Sequence, residues 1–400
     1  MASWREPLGV AVLYNAGGGL IKGEPKDYLA EEGVTLCADA VSDALRAVGY
    51  RVAQVPVHTD VELALVPYPP TEWLIFNLGE GLEGRLFEEP RIVWALEAMG
   101  YCFTGSGGHA IACSVHKAKA KALLAWEGVA TPPWRLFCHP DEVGSGAENL
   151  PFPLIVKPVA EDASIGIGPS AVVNGVSALR ERVAYVVERY RQAALVETFI
   201  AGREFNVSLW GDPPQVLPLA EIDFSAFEDP YERIVSFAAK WEEASFEYSH
   251  TPVICPAPTG YGLANRIANT ALRAWDAIGC QGYARVDMRL ADGDLPHVVE
   301  VNCNPDLSPE AGFHRAAHAA GYRYEEMVEH IVEIARRQYD AYNHSGLGGR
   351  WADRSWLLHL QGARLSRSNS LSLDLGGGSA AASLTAVTGS TQSSEDPGHT

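Results

Sequence analysis

The chain has 400 residues, enough for two or three cores, and its 47% hydrophobic and 20% charged residues are those of an ordinary globular protein. A formal net charge of −19 leaves no basic stripe for a nucleic-acid backbone, although a few local lysines and a divalent cation can still hold a nucleotide's phosphates. Seven scattered cysteines without CxxC or Cys/His metal spacing predict reduced thiols rather than a disulfide framework. No apolar run reaches membrane length and no basic-apolar leader opens the chain, so a cytoplasmic protein without a membrane partner is expected.

The pattern predicts a strand over 8–14, a loop at Asn15–Gly19, a helix over 34–48 stopped by Gly49, strands over 51–57 and 73–77, and a helix over 88–99 ending at Gly100. This strand–helix alternation suggests an α/β domain over 1–112. Ser114 is read as the cap of a helix over 115–127, followed by a strand (152–157), a glycine-containing loop (161–168), a helix (175–192) and strands over 194–200 and 203–210. The Pro-rich, acidic and aromatic stretch 211–260 reads as long strands and loops; helix 261–278, a hairpin over 281–302, a loop over 303–313 and helix 324–338 follow. Residues 343–400, dominated by Ser, Gly, Ala and Thr, read as a disordered tail.

The hairpin carries the most information. Asp292-Gly293 and Gly293-Asp294 are both credible two-residue turns, and either puts Arg285 and Asp287 on one sheet face with Glu300 and Asn302. With Gly293-Asp294 at the tip, Asp287 lies opposite Glu300 and Arg285 opposite Asn302. Facing carboxylates repel unless something positive lies between them. Either Mg²⁺ does this, held by two carboxylates and an amide oxygen, or Arg285 neutralises the pair.

Lys157 ends an apolar strand and needs an anionic partner. The loop Glu161-Asp162-Ala163-Ser164-Ile165-Gly166-Ile167-Gly168 after it offers free N–H groups to phosphate oxygens, without being a Walker A sequence. Lys117 and Lys121 share a helix face at i,i+4 spacing, and Lys119 and Lys121 are assigned to a solvated surface. Lys240, in the apolar run SFAAKW, is a candidate inward cation. Glu197 and Glu204 flank a turn and read from their own surroundings as surface carboxylates. No HExxH or GxSxG appears, and His314 and His318 are read as structural.

In order and spacing, FNLGEGLEGRLFEEP…ALEAMGYCFTGS, HKAKAKALLAWEGVATPPW, IVKPVAEDASIGI, VETFIAGREFNV, GYARVDMRL and VVEVNCNPDLSPEAGFHRAA resemble the D-alanine–D-alanine ligase branch of the ATP-grasp superfamily over roughly 70–335. The resemblance implies an α/β (α+β) fold of three subdomains: the N-terminal domain, a central unit over 113–205 and a C-terminal unit over 206–342, with ATP between the last two. It implies that Lys117 and Lys157 hold the ATP phosphates and that Lys240 reaches them from a covering loop. Ser164, Ile165 and Gly166 would form the phosphate lid. Glu197, Phe199 and Ile200 would surround adenine, and Glu204 would bind ribose. Asp287, Glu300 and Asn302 would hold two Mg²⁺, for which Mn²⁺ could substitute, and Arg285 would stabilise the oxyanion. The implied reaction is attack of a substrate carboxylate on the γ-phosphate, followed by attack of an amine on the acyl phosphate. Small-molecule amino acids or peptides are the implied partners, and a homodimer is common in the family.

The departures lie in the substrate pockets. Ala163 and Trp241 stand where the family has a serine and a tyrosine hydrogen-bonded with an N-terminal glutamate, for which Glu24 is the available counterpart. Asp306 replaces a glycine, and Ala311 replaces the serine that reads the second substrate's carboxylate, with Arg315 as a possible substitute. The sequence therefore predicts an ATP-dependent carboxylate–amine ligase for amino acids other than two D-alanines. A true D-alanine–D-alanine ligase and an ATP-binding regulatory protein are the alternatives.

Overall fold

Short apolar runs with breakers between them set the elements of the computed structural model, which describes residues 9–16, 22–83, 85–147 and 149–344. Strand β1 (Gly9–Asn15), helix α1 (Tyr28–Ala47), β2 (Arg51–Val57), α2 (Val61–Leu65), β3 (Trp73–Leu78) and α3 (Glu89–Met99) form the first layer pair. β1 lies between β2 and β3, parallel to both, as strand–helix alternation requires. α1 starts earlier than expected because the apolar face that announces it (Val34, Cys37, Ala38, Val41, Leu45) occupies only its later turns. The tail beyond residue 344 lies outside the described residues, and among these no helix is long and apolar enough to cross a membrane.

The expected helix over 115–127 is in fact two, α4 (Gly108–Ser114) and α5 (Lys117–Trp126). Ser114 ends the first, its hydroxyl donating back to the Ile111 carbonyl, and does not cap the second. The cap is His116, whose extended backbone (φ −103°, ψ 91°) breaks the helix and whose ring accepts from the Lys119 amide.

β4 (Trp134–Phe137), α6 (Val143–Gly146), β5 (Leu154–Pro158), β6 (Val172–Val173), α7 (Val176–Tyr190) and β7 (Ala194–Thr198) follow. They build an antiparallel sheet of order β4-β7-β5-β6, covered by α7 through Leu179, Val183 and Val186. The third sheet takes β8 (Glu204–Gly211), β9 (Pro214–Val216) and β10 (Ala220–Ile222). After helices α8 (Phe237–Trp241) and α9 (Phe246–Ser249) come β11 (Val253–Ile254), α10 (Tyr261–Ile278), β12 (Tyr283–Ala291) and β13 (Leu295–Asn302). Its order is β11-β10-β8-β12-β13, with β9 on β8. The stretch 211–260 thus holds only short strands and two short helices, because its prolines interrupt any longer ladder.

α10 buries Ile267, Ala271, Ala274 and Ile278 on the third sheet, and α5 packs against α10 and β13. α11 (Gly312–Ala319) lies on β8, and α12 (Tyr324–His344) returns to α1. Gly202 lets the β7–β8 turn touch the hairpin: a Cβ there would come 1.9 Å from the Leu290 carbonyl oxygen.

Candidate active site

Asp287 does face Glu300, and Arg285 faces Asn302, but the turn responsible has three residues rather than two. Ala291 pairs with Leu295 around Asp292-Gly293-Asp294, and that register alone would set Asp287 against Val299. One extra residue in β13, between the Val298 and Glu300 pairs, shifts the register back. The bulge therefore puts Glu300 on the Asp287 face. Outside contacts hold it: the Val298 amide donates to the Ala130 carbonyl at 2.8 Å, and Thr131 Oγ1 donates to the Val298 carbonyl at 2.8 Å.

Each carboxylate has a cation. Arg285 grips Asp287 through Nε and Nη2, both at 2.8 Å, while Asn206 and Asn302 donate their amides to the same carboxylate at 2.8 and 3.1 Å. Lys117 pairs with Glu300 and, at 2.9 Å, with Asp162. Burial works against charge on both groups. Lys117, Lys157 and Lys240 nevertheless hold the Glu300 carboxyl down to about 2, and Asp162 and Glu300 raise the Lys117 ammonium. Among the described residues no three His, Cys, Asp or Glu side chains converge as a metal cage. The hairpin offers two carboxylates and the Asn302 carbonyl oxygen, a hard-oxygen set that fits Mg²⁺ completed by phosphate and water oxygens.

Glu197 and Lys121 are not on the surface. Glu197 is 1% exposed, with one carboxylate oxygen on Lys157 and the other 2.6 Å from Lys121 Nζ. Burial raises the Glu197 carboxyl, but Lys121 and Lys157 outweigh it and the net direction is down. The i,i+4 spacing of Lys117 and Lys121 was visible in the sequence; the carboxylate waiting for Lys121 on β7 was not.

The glycine loop and the covering segment are fastened together. The Ser164 hydroxyl donates to the Val235 carbonyl at 2.7 Å, the Phe237 amide to Ile167 at 2.9 Å, and the Trp241 indole N–H to Ala163 at 3.0 Å. Ala163 and Ser164 take positive φ (54° and 60°), and Ile165 closes the turn by donating to Asp162. At Gly166 (φ 75°) a Cβ would meet the Pro158 ring at 2.7 Å, so this position has to be glycine. Lys240 stands exposed on the same α8, with no ion-pair partner among the described residues. The crowding of the cleft, and after it Arg285, pull its ammonium down.

Phe199 and Ile200 lie on the link between β7 and β8. Arg289, missed in the sequence, organises them: 6% exposed, it pairs with Glu204 at 2.6 Å and donates to the carbonyls of Ile200 and Arg233. Its guanidinium also lies 4.9 Å from the Phe199 ring centre. Strand alternation from Arg285 and Asp287 was the available signal for it.

Glu24, the counterpart considered for the family's N-terminal glutamate, meets α7. It is bound by Arg189 at 2.9 Å and by the Tyr185 hydroxyl at 3.2 Å, both on α7. Burial, followed by Asp306 and Asp162, pushes the Glu80 carboxyl up to about 8. Arg315 is exposed, and His314 is held by the Pro309 carbonyl and the Tyr324 ring, in line with a structural histidine. Ala311 caps α11 without a side-chain bond.

The family model described as D-ala D-ala ligase C-terminus matches residues 123–333. The chain belongs to the D-alanine–D-alanine ligase family. It is 32% identical over 306 residues to the D-alanine–D-alanine ligase of Desulforudis audaxviator, covering 75% of this chain and 92% of the relative. With the Caulobacter sp. K31 D-alanine–D-alanine ligase it shares 33% over 324 residues (80% and 92% covered), and with the uncharacterized protein y4sG of Sinorhizobium fredii 32% over 311 residues (76% and 88% covered). The fold matches that of the Bacillus anthracis D-alanine–D-alanine ligase complexed with ATP, with a TM-score of 0.67 at 22% identity over 84% of this chain and all of that one. It also matches the VanG D-Ala:D-Ser ligase of Enterococcus faecalis, with a TM-score of 0.62 at 20% identity over 82% and 99%. The chain is accordingly an ATP-grasp enzyme of the ligase class.

Proposed function

We propose that the chain is an ATP-dependent carboxylate–amine ligase that joins amino acids other than two D-alanines through an acyl phosphate. The observation that carries the ligase reading is the Asp287–Glu300 pair beside Asn302, with Arg285 and Lys117 already on it. A protein that merely bound nucleotide would have no use for an arginine at the reacting carbonyl. Asp287, Glu300 and Asn302 would hold Mg²⁺, which when bound would offset charge on the transferring phosphoryl group. Lys117, Lys157 and Lys240 would orient and neutralise the phosphates. Arg285 would turn part of its fork to the oxyanion of the tetrahedral stage. Ser164, Ile165 and Gly166, under the covering segment, would keep water from the acyl phosphate. Phe199, Ile200, Glu197 and Glu204 would line the nucleoside end.

Substrate choice follows from the departures. The Trp241–Ala163 bond uses a backbone carbonyl where the family uses side chains, and Glu24 is committed to α7. Ala311 offers no hydroxyl to a second carboxylate, and Asp306, where the family has a glycine, adds an acidic group that acts on Glu80. The test is ADP release from Mg²⁺-ATP over D- and L-amino acids offered singly and in pairs. Release that requires one specific pair is the expected result; release with D-alanine alone restores D-alanyl-D-alanine synthesis.

A further inference from the structure

Two ammonium groups and one carboxylate are buried together where α5 meets β5 and β7, and their charges do not cancel. Lys121 is 1% exposed, Glu197 1% and Lys157 7%. Glu197 gives one oxygen to each lysine. Lys121 Nζ also donates to Thr131 Oγ1 at 2.9 Å, so α5, β7 and the loop before β4 hold it in place. With Lys121 present, the cluster keeps one uncompensated positive charge. Without it, Glu197 would cancel Lys157 and the end of β5 would be neutral. Two buried like charges repel in a low-dielectric interior, a cost that an arriving anion relieves. Lys157, at the β5 terminus that leads into the glycine loop, is the member of the cluster placed to meet that anion.

We propose that Lys121 is a positioning residue for nucleotide phosphates: it occupies the Glu197 carboxylate so that the Lys157 ammonium faces the cleft with its charge available. This rests on the reading of Lys157 as a phosphate ligand given above. Lys121 touches no phosphate itself; it acts through Glu197.

The test is calorimetric titration of the full-length protein with ATP, ADP and adenosine. Lys121→Met is expected to weaken ATP and ADP by roughly ten- to a hundredfold, the scale of one charge-assisted contact. Adenosine affinity should change less than about twofold, because the lost term acts on charge alone. Lys121→Arg should recover most of the ATP affinity. Lys119→Met, which removes an exposed charge from the same helix and leaves the three buried charges in place, should bind ATP as the wild type does. An equal loss for adenosine and ATP in Lys121→Met would overturn the inference, as would a Lys119→Met variant that reproduces Lys121→Met. Wild-type binding of ATP with unchanged affinity in Lys121→Met would overturn this inference alone. Failure of the wild type to bind ATP at all would overturn the ligase reading and this inference with it.

Discussion

Asp287→Asn separates the two roles that the hairpin face offers. The substitution keeps the shape of residue 287 and removes its charge. Asp287 accepts four hydrogen bonds: two from Arg285 and one each from Asn206 and Asn302. An asparagine could still accept from Arg285 Nε or Asn206 through its oxygen. Its NH₂ would then meet Arg285 Nη2 and the Asn302 amide, donor against donor. Arg285 and Asp287 side chains are only 15% and 12% exposed, so solvent cannot replace the lost partner well. Breaking such a pair while leaving one charge buried costs about 3–5 kcal/mol. At about 2–4 °C per kcal/mol for a cooperative unit of ordinary size, the unit carrying the hairpin should melt roughly 6 °C or more lower. The wild type should gain stability with Mg²⁺-ATP, by about 2.7 kcal/mol at a hundred times Kd, and the variant should gain far less. Thermal melts with EDTA, Mg²⁺, ATP and Mg²⁺-ATP, with ADP release measured alongside, read both effects. A variant that melts lower yet keeps full turnover and full Mg²⁺-ATP stabilisation would refute the metal role and leave Arg285 as a plain counter-ion.

Deleting Val299 removes the bulge but makes Glu300 the residue after Val298, which the simple register sets opposite Asp287, so ADP release should survive in a chain that circular dichroism reports as folded; loss of release in a folded variant would refute the register argument. Trp241→Phe keeps the ring and removes one N–H bond worth about 1 kcal/mol, so amide exchange over 162–166 should quicken roughly fivefold or more. The Glu80 carboxyl is raised to about 8 from an ordinary 4.5, so the folded state binds its proton more tightly than the unfolded state. Its contribution is complete below about pH 4.5 and fades as pH rises towards 8. Glu80→Gln should therefore raise the melting temperature more at pH 8 than at pH 5, and an equal rise at both would show that Glu80 does not titrate in that window.

The sequence by itself determined much of the local structure. Helix α10 runs over 261–278 as its periodicity demanded, β2 over 51–57 likewise, and Gly100 ends α3 in a left-handed conformation (φ 76°). The face shared by Arg285, Asp287, Glu300 and Asn302 was legible because side chains alternate along strands. That inference reached the right pairing through a two-residue turn that does not exist, since a three-residue turn and a bulge offset each other's register. A bulge leaves no mark in strand alternation, because what holds it, the carbonyl of Ala130 and the hydroxyl of Thr131, comes from a loop more than 160 residues earlier. Lys121 and Glu197 were misplaced for the same reason. Each looks like a surface charge in its own helix or strand, and only the packing of α5 beside β7 makes each the condition for burying the other. Glu24 and Arg289 were likewise decided by partners on α7 and β8. Local sequence fixes which way a side chain leaves the backbone, whereas burying a charge depends on a partner that only the tertiary fold supplies.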